Sequence, residues 1–284
     1  MNQKAMRTGR WGQERRLEFI DFRLMWEGKV NRSDLIGFFQ ISMPQASLDL
    51  ARYLELAPDN LTYDRTAKAY VASDDFKPIL CKADSDTFLK ELLWRESGAL
   101  TLSESFIGWA PETAAVPFPN RHVSTPVLVG LLRTIRSKRC VVIGYQSMAH
   151  PDPADRLIIP TAFGFDGFRW HLRAYCFKSE AYKDYVLGRI YSLGDAVDCS
   201  RSIPEDTEWQ TYVDLVIAPN PNYSEPRRQA IERDYEMVNG EIKIRTRIAL
   251  QQYVERRLGL GKPSENVSDQ HQIVLLRVEE AHSS

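Results

Sequence analysis

Ser42, Gln45, Ser47 and Arg52 fall within one short stretch, SMPQASLDLARYLEL, and carry the hydroxyl, amide and guanidinium groups that hydrogen-bond to base edges in a DNA major groove. Gln and Arg can each offer two hydrogen bonds at once, which is how one base pair is told from another. The spacing also says how these groups are held. Ser42 followed three residues later by Gln45 is a capping-box spacing, and Pro44 falls in the first turn, where no backbone N–H is needed, so a helix starts here. Ala46, Leu50, Ala51 and Leu54 recur at helical spacing and are expected to face a core, which turns Gln45, Ser47, Asp49 and Arg52 outward. Arg65 and Lys68 occupy RTAK, the link between the alternating segments LTYD and AYVAS. Cations at a hairpin tip suit phosphate contact, which adds affinity without reading sequence. Arg15 and Arg16 close a basic run with Lys4, Arg7 and Arg10 against the single Glu14, a pattern that fits an arm along phosphates or an ordinary soluble terminus.

A second set lies downstream. In GFRWHLRAYCF, strand alternation puts Trp170, Leu172, Ala174 and Cys176 on one side and Arg169, His171, Arg173 and Tyr175 on the other. The first side is expected to be core and the second an open polar face. The same alternation groups Arg189 with Leu187 and Tyr191, and Ser147 with Tyr145. Tyr145, Ser147, His171, Arg173 and Arg189 could then converge on one ligand. Between Arg133 and Arg189 there are ten Lys or Arg against five Asp or Glu, a local charge of +5 that makes the expected ligand an anion. Arginines on an open antiparallel face are also commonly just solvated. No carboxylate or nucleophile stands at a motif spacing from His171, so acid–base catalysis is not indicated.

The elements that must position these groups follow from periodicity. A helix is expected over 15–28, with Leu17, Ile20, Phe22, Leu24 and Met25 toward a core and Gly28 as its end. Residues 33–73 then read as helix, tight turn, helix and two-stranded wing, the outline of a DNA-reading winged helix, although a solvated hairpin on an unrelated helical domain would share the pattern. Another helix covers 85–97, and SFIGWAPETAAVPFPNRHVSTP is a Pro-rich linker. VLVGLLRTIRSKR reads as an amphipathic helix, and CVVIGYQSM, RLIIPTAFGFD, GFRWHLRAYCF and DYVLGRIYSL read as four strands of a small antiparallel barrel or curled sheet. From Trp209 onward, strands TYVDLVIAPN, EIKIRTRIA and HQIVLLRV alternate with helices SEPRRQAIERDYEM and LQQYVERRLGL, an α+β sandwich. The expected domains are 1–80, a linker over 81–124, 125–205 and 206–284, an α+β chain of several domains.

Composition narrows the function classes. The 37 Lys and Arg against 38 Asp and Glu leave the whole chain nearly neutral, so charge alone does not indicate a general polyanion binder. No run of eighteen apolar residues and no apolar signal region is seen, and a cytoplasmic, non-membrane protein is expected. Cys81, Cys140, Cys176 and Cys199 show no C-x-x-C spacing, so neither a metal site nor a disulfide framework is indicated, and all four are expected to be reduced. No cofactor is expected. GLGKPS at 259–264 departs from a P-loop at Arg256 and at Pro263, H-E-x-x-H and G-x-S-x-G are absent, and the chain does not read as an enzyme. Scattered carboxylates leave a metal-dependent nuclease open as a reading.

FRWHLRAYC followed by YVLGRI resembles the signature of the WYL domain, an Sm-like small barrel, with Trp170 and Leu172 in place and His171 where the signature has tyrosine. That departure puts in doubt any role needing the phenol. With the winged-helix outline and a C-terminal βαββαβ-like segment, the chain is similar over nearly its whole length to bacterial WYL transcriptional regulators, especially the BrxR/CapW group that controls phage-defence operons. S-x-PQAS-x-DL-x-x-Y and the Tyr63-Asp64 pair of the wing resemble that group's DNA-binding domain. The resemblance implies a homodimer on an inverted-repeat double-stranded operator, repressing until a nucleotide or nucleic-acid ligand occupies a pocket at or near Tyr145, Ser147, His171, Arg173 and Arg189. It also implies that the C-terminal part, the WCX domain, serves dimerisation and frames the ligand site. A nucleic-acid-binding adaptor without an operator is the alternative.

Overall fold

The computed structural model describes residues 3–101, 103–117, 119, 121–199, 201–260 and 271–281, with side chains described from residue 12 onward. The side chains of Lys4, Arg7 and Arg10, and residues 261–264 of the GLGKPS comparison, therefore lie outside the described residues. The chain divides into two compact units between residues 118 and 119.

The first unit opens with α1 (Gln3–Glu27), longer at its start than the periodicity suggested. It stops at Gly28, whose left-handed φ of 69° suits glycine and whose N–H donates to the Leu24 carbonyl at 3.1 Å. After the short β1 (Lys29–Val30), α2 (Arg32–Phe39) is started by a reciprocal capping box: the Asp34 N–H donates to Asn31 Oδ1 at 3.2 Å, and the Asn31 N–H to Asp34 Oδ2 at 2.8 Å. Gln40, left-handed at φ 55°, turns the chain into α3 (Met43–Leu56). Ser42 Oγ accepts the Gln45 N–H at 3.4 Å, so the cap is where the sequence put it. The wing is β2 (Leu61–Asp64) and β3 (Ala69–Ala72), and β1 joins it in the order β1-β3-β2. Leu17, Ile20, Phe22 and Leu24 are buried as expected, around Phe19, which contacts Phe38 and Phe106 with ring centroids 5.0 and 5.3 Å away. α4 (Ser85–Glu96) lays Phe88 on Trp26 at 4.4 Å and adds Leu92 to the same core.

The outward set of α3 needs correction. Asp49 and Tyr53 are fully buried with Ala46 and Leu50, whereas Ala51 and Leu54 are exposed. The core arc therefore runs i, i+3, i+4, i+7 from Ala46 and includes a charge that a hydrophobicity pattern turns outward.

In the second unit, α5 (Thr125–Ser137) packs Val127 and Leu131 on an antiparallel sheet. Its strands are β4 (Val141–Tyr145), β5 (Ala154–Phe165), β6 (Trp170–Cys176), β7 (Ala181–Val186) and β8 (Ile190–Leu193), in the order β7-β6-β5-β4-β8. DYVLGRIYSL is thus not one strand. A 3-10 turn at Leu187–Arg189 divides it between the two ends of the sheet. Both faces of β6 are covered: Leu172, Ala174 and Cys176 on one, and His171, Arg173 and Tyr175 on the other. The expectation of an open polar face is overturned, and Trp170, expected in the core, is half exposed.

After α6 (Thr207–Gln210) come β9 (Tyr212–Pro219), α7 (Glu225–Asp234), β10 (Ile242–Arg247), α8 (Gln251–Leu258) and β11 (Ile273–Glu280). β9 lies between β10 and β11, antiparallel to both, with Leu215, Val216 and Ile217 fully buried. Among the described residues the order is βαβαβ rather than βαββαβ. The expectation of four reduced cysteines also fails, because Cys140 and Cys199 form a disulfide while Cys81 and Cys176 are free. Widely spaced cysteines give no local sign of such a pair.

Candidate nucleic-acid interface and ligand pocket

Two buried carboxylates fix how α3 is presented. Asp49 receives Arg16 Nε at 2.6 Å and Nη2 at 3.3 Å, and Gln45 Nε2 at 3.1 Å, tying α3 to α1. Asp21 accepts the Tyr53 hydroxyl and the backbone N–H groups of Ile79, Leu80 and Cys81 at 3.0, 2.7 and 2.8 Å. Burial, reinforced by Asp21, raises the Tyr53 phenol above its ordinary value and pushes the Cys81 thiol up to about 12. Asn60 completes the lock by donating to Tyr53 Oη at 3.1 Å and to the Lys77 carbonyl at 2.7 Å. The exposed face of α3 then carries Met43, Leu48, Ala51 and Arg52, with Ser47 at its edge.

The expected DNA-contacting residues separate into groups. Ser47 and Arg52 lie on the accessible side, Arg52 in an exposed pair with Glu55 at 2.8 Å that is worth little and easily exchanged. Ser42 is committed to the cap, and Gln45 is partly exposed with its amide on Asp49. Arg16 holds Asp49, which makes it a positioning group. The exposed Arg15 lies over the Phe106 ring at 4.9 Å. On the wing, Asp64 Oδ1 accepts the N–H groups of Thr66 and Ala67 at 2.7 and 3.0 Å, which shapes the tip that displays Arg65 and Lys68. Tyr63 is half exposed against Tyr70. Lys29 and Arg32 were missed. Lys29 is exposed on β1 beside the wing, and Arg32 opens α2, its guanidinium on the Tyr70 hydroxyl at 3.2 Å. The Asn31-x-x-Asp34 capping signal in the sequence marks that helix start.

The five expected ligand residues do not converge on one point. Tyr145 and Ser147 line a cavity of about 410 Å³ with His150, Arg156, Lys178, Lys183, Asp184 and Tyr185. The Tyr145 hydroxyl accepts the Val186 N–H at 3.3 Å, and its ring meets Tyr185 edge-on. Cys176, on the same wall, would be pushed up by burial, but hydrogen bonding from Ser179 and from the backbone holds its thiol at about 7. Arg156, Lys178 and Lys183 sit too far apart in sequence to have been grouped by spacing.

His171 faces elsewhere. Its Nε2 lies 2.8 Å from Asp166 Oδ2, and its ring lies 4.8 Å from that of Tyr253. Asp166 shapes the β5–β6 turn by accepting the N–H groups of Phe168 and Arg169, both at 2.8 Å, and Arg169 Nε at 3.0 Å. Burial alone would raise its carboxyl. His171, the two N–H groups and Arg169 outweigh that and hold it well below the usual range. Beside it is a cavity of about 210 Å³ lined by Arg121, Arg169, Arg256 and Arg257 with Phe168 and Tyr253. Gly167 is left-handed at φ 95°, a backbone conformation that favours glycine, and the Arg257 guanidinium lies close over it.

Arg173 is not free. Its guanidinium grips Asp206 with two bonds of 2.8 Å and also reaches Glu208 at 2.7 Å and Asp184 at 3.4 Å. Burial would weaken the charge, but these carboxylates raise the group above its ordinary value. Asp206 in turn caps α6. Arg189 is half exposed in the 3-10 turn after β7 and lines neither cavity. Among the described residues no cluster of His, Cys, Asp and Glu could hold a metal ion, and no helix is long and apolar enough to cross a membrane.

Comparison with known proteins covers both units. The BrxR transcriptional regulator winged helix-turn-helix domain matches residues 12–93, the WYL domain residues 126–194, and the BrxR transcriptional regulator C-terminal dimerization domain residues 212–281. Three similar relatives each carry the name DNA-binding transcriptional repressor CapW. That of Escherichia coli (strain KTE188) is 41% identical over 259 residues, 91% of this chain and 87% of the relative. That of Stenotrophomonas maltophilia is 39% identical over 273 residues, 95% and 91% of the two chains. That of Pseudomonas aeruginosa is 39% identical over 259 residues, 91% and 87%.

Proposed function

The chain belongs to the BrxR/CapW family of WYL-domain transcriptional regulators, and from that premise we propose that it is a DNA-binding transcriptional repressor working as a homodimer on an inverted-repeat operator. The observation that carries this reading is the capped α3 locked through Asp49 and Asp21 beside a wing with a basic tip. Ser47, Arg52 and the partly exposed Gln45 would read base edges, while Arg65, Lys68, Lys29, Arg32, Tyr63 and Arg15 would meet the backbone. Repression of a phage-defence operon and relief by an anionic nucleotide or nucleic-acid ligand complete the proposal. The ligand part is supported by the cavity holding Tyr145 and Ser147 among three basic side chains, and by the four-arginine cavity beyond His171. We take the five-stranded sheet to be the Sm-like barrel of this family, over 125–205. The remaining divisions are a DNA-binding domain over 1–80, a linker over 81–124 and a WCX dimerisation domain over 206–284. The relatives are named as repressors and not as enzymes, and no catalytic role is assigned.

The test is fluorescence anisotropy with DNA from just upstream of the protein's own operon, against scrambled competitor at physiological salt. Binding should favour the site by about 10³ to 10⁷ over random DNA, with a two-fold symmetric footprint. Arg52→Ala should relax base preference by roughly 1–3 kcal/mol at one position per half-site. Binding that competitor removes and that falls only with salt would leave a charge-held adaptor instead.

A further inference from the structure

The Cys140–Cys199 disulfide joins residues 59 apart and holds the chain that follows β8. Cys140 precedes β4 and is buried with Ile159 and Tyr175, whereas Cys199 is half-buried between exposed Asp198 and the polar chain beyond it. Other holds near this point are slight. Cys140 and Val197 exchange two backbone hydrogen bonds of 2.9 and 2.8 Å, and Arg139 meets Asp198 at 2.9 Å in a pair open to solvent. The chain then packs Ile203 against the cluster of Cys140, Ile159 and Tyr175, accepts the Tyr182 hydroxyl at the Pro204 carbonyl at 2.8 Å, and delivers Asp206 and Glu208 to Arg173.

We propose that Cys140 and Cys199 are a reversible thiol–disulfide site, acted on by small-molecule thiols and disulfides, whose state sets how firmly Asp206 and Glu208 are held over Arg173. The bond tethers Cys199, and with it the start of the chain after β8, to the buried Cys140 beside β4, so its cleavage removes a covalent limit on local opening of the segment that leads to Asp206. A disulfide in a protein that works beside DNA is more often redox-sensing than structural. This last step rests on the repressor reading; the chemistry does not, and the test needs no DNA.

The asymmetry of exposure sets the direction of reaction. A small thiolate attacks the Cys199 sulfur, the S–S bond breaks, and the Cys140 sulfur leaves as a thiolate that takes a proton. A second thiolate attacks the small molecule's sulfur in the mixed disulfide, releasing Cys199 as a thiol. Two small thiols are oxidised to their disulfide as the protein disulfide is reduced to two thiols. Oxidised small-molecule disulfide reverses both steps.

Full-length protein is equilibrated in graded mixtures of reduced and oxidised glutathione, quenched in acid, labelled with a maleimide and mapped by peptide mass spectrometry. Hydrogen exchange over residues 201–210 is followed in the same buffers. Labelling at Cys140 and Cys199 should rise and fall together across an intermediate mixture, with Cys81 unchanged. Exchange over 201–210 should quicken by about tenfold or more on reduction. Cys199→Ser should show the fast exchange in every buffer, and the wild-type titration stands without it. A pair oxidised in all mixtures, a pair reduced in all mixtures, or a pair that titrates with no change in exchange over 201–210 would each overturn the proposal.

Discussion

Arg173 shows how far residue type can mislead about residue role. An arginine on a strand beside a histidine looks like an anion hook, yet this one is buried and carries three carboxylates of its own. Its first duty is therefore structural. Arg173→Ala leaves Asp206 and Asp184 buried without their counter-charge, and is expected to destabilise the second unit by about 3–5 kcal/mol. Urea denaturation followed by circular dichroism would measure it, and a loss near zero would mean that water replaces the guanidinium at little cost. Asp166 gives a pH-dependent counterpart. Its carboxyl sits below the ordinary range in the folded protein, so the stability it contributes is fully present above the ordinary aspartate value of about 4 and is lost as pH falls through the depressed folded value. Wild type should therefore exceed Asp166→Asn in stability at neutral pH, with the gap closing only in acid below about pH 4. A gap that stayed constant down to about pH 2 would show that the charge on Asp166 contributes nothing.

At the scale of elements, the wing offers the cleanest separation of affinity from specificity. Arg65 and Lys68 are exposed on a tip shaped by Asp64, in a hairpin separate from α3, to which base reading is assigned in the proposal. Replacing either with Ala should weaken binding to all DNA sequences alike and lower the salt slope by about one for each phosphate no longer neutralised, leaving base preference unchanged. Titrations at several salt concentrations on operator and random duplexes would check this, and a change confined to the operator would move the wing into base reading. These elements were legible because their signals are local. Ser42 and Gln45 mark a helix start, Gly28 a helix end, and alternation marks β6, all within a few residues. What was not legible depends on partners distant in sequence. Asp49 reads as outward because it is charged, and the counter-charge that accompanies its burial comes from Arg16, 33 residues away. Asp206 is likewise 33 residues from Arg173, and Cys199 is 59 from Cys140. Periodicity finds the face of an element but not the charge across from it, so the residues of the candidate site were found more readily than their assignments.

For the whole molecule, the division between residues 118 and 119 separates the helix that would read DNA from the segment that matches a dimerization domain. If each DNA-reading unit meets one half of an inverted repeat, joining two of them makes the second contact intramolecular, at an effective concentration set by the connection. The first unit has a core of its own, built on α1, α3, the wing and α4, so it can be tested as an isolated piece once its folding is checked by circular dichroism. A fragment of residues 1–118 should keep its preference among half-site sequences but bind about 10² to 10⁴ more weakly than the full chain, with no cooperativity between half-sites. A fragment of residues 119–284 should self-associate in sedimentation and bind no duplex. Full affinity in the first fragment would mean that base reading, and not the coupling of two copies, carries operator recognition. A monomeric second fragment would place the dimer contact in the first unit, and the symmetry of the operator would then have to be explained from the DNA-reading unit itself.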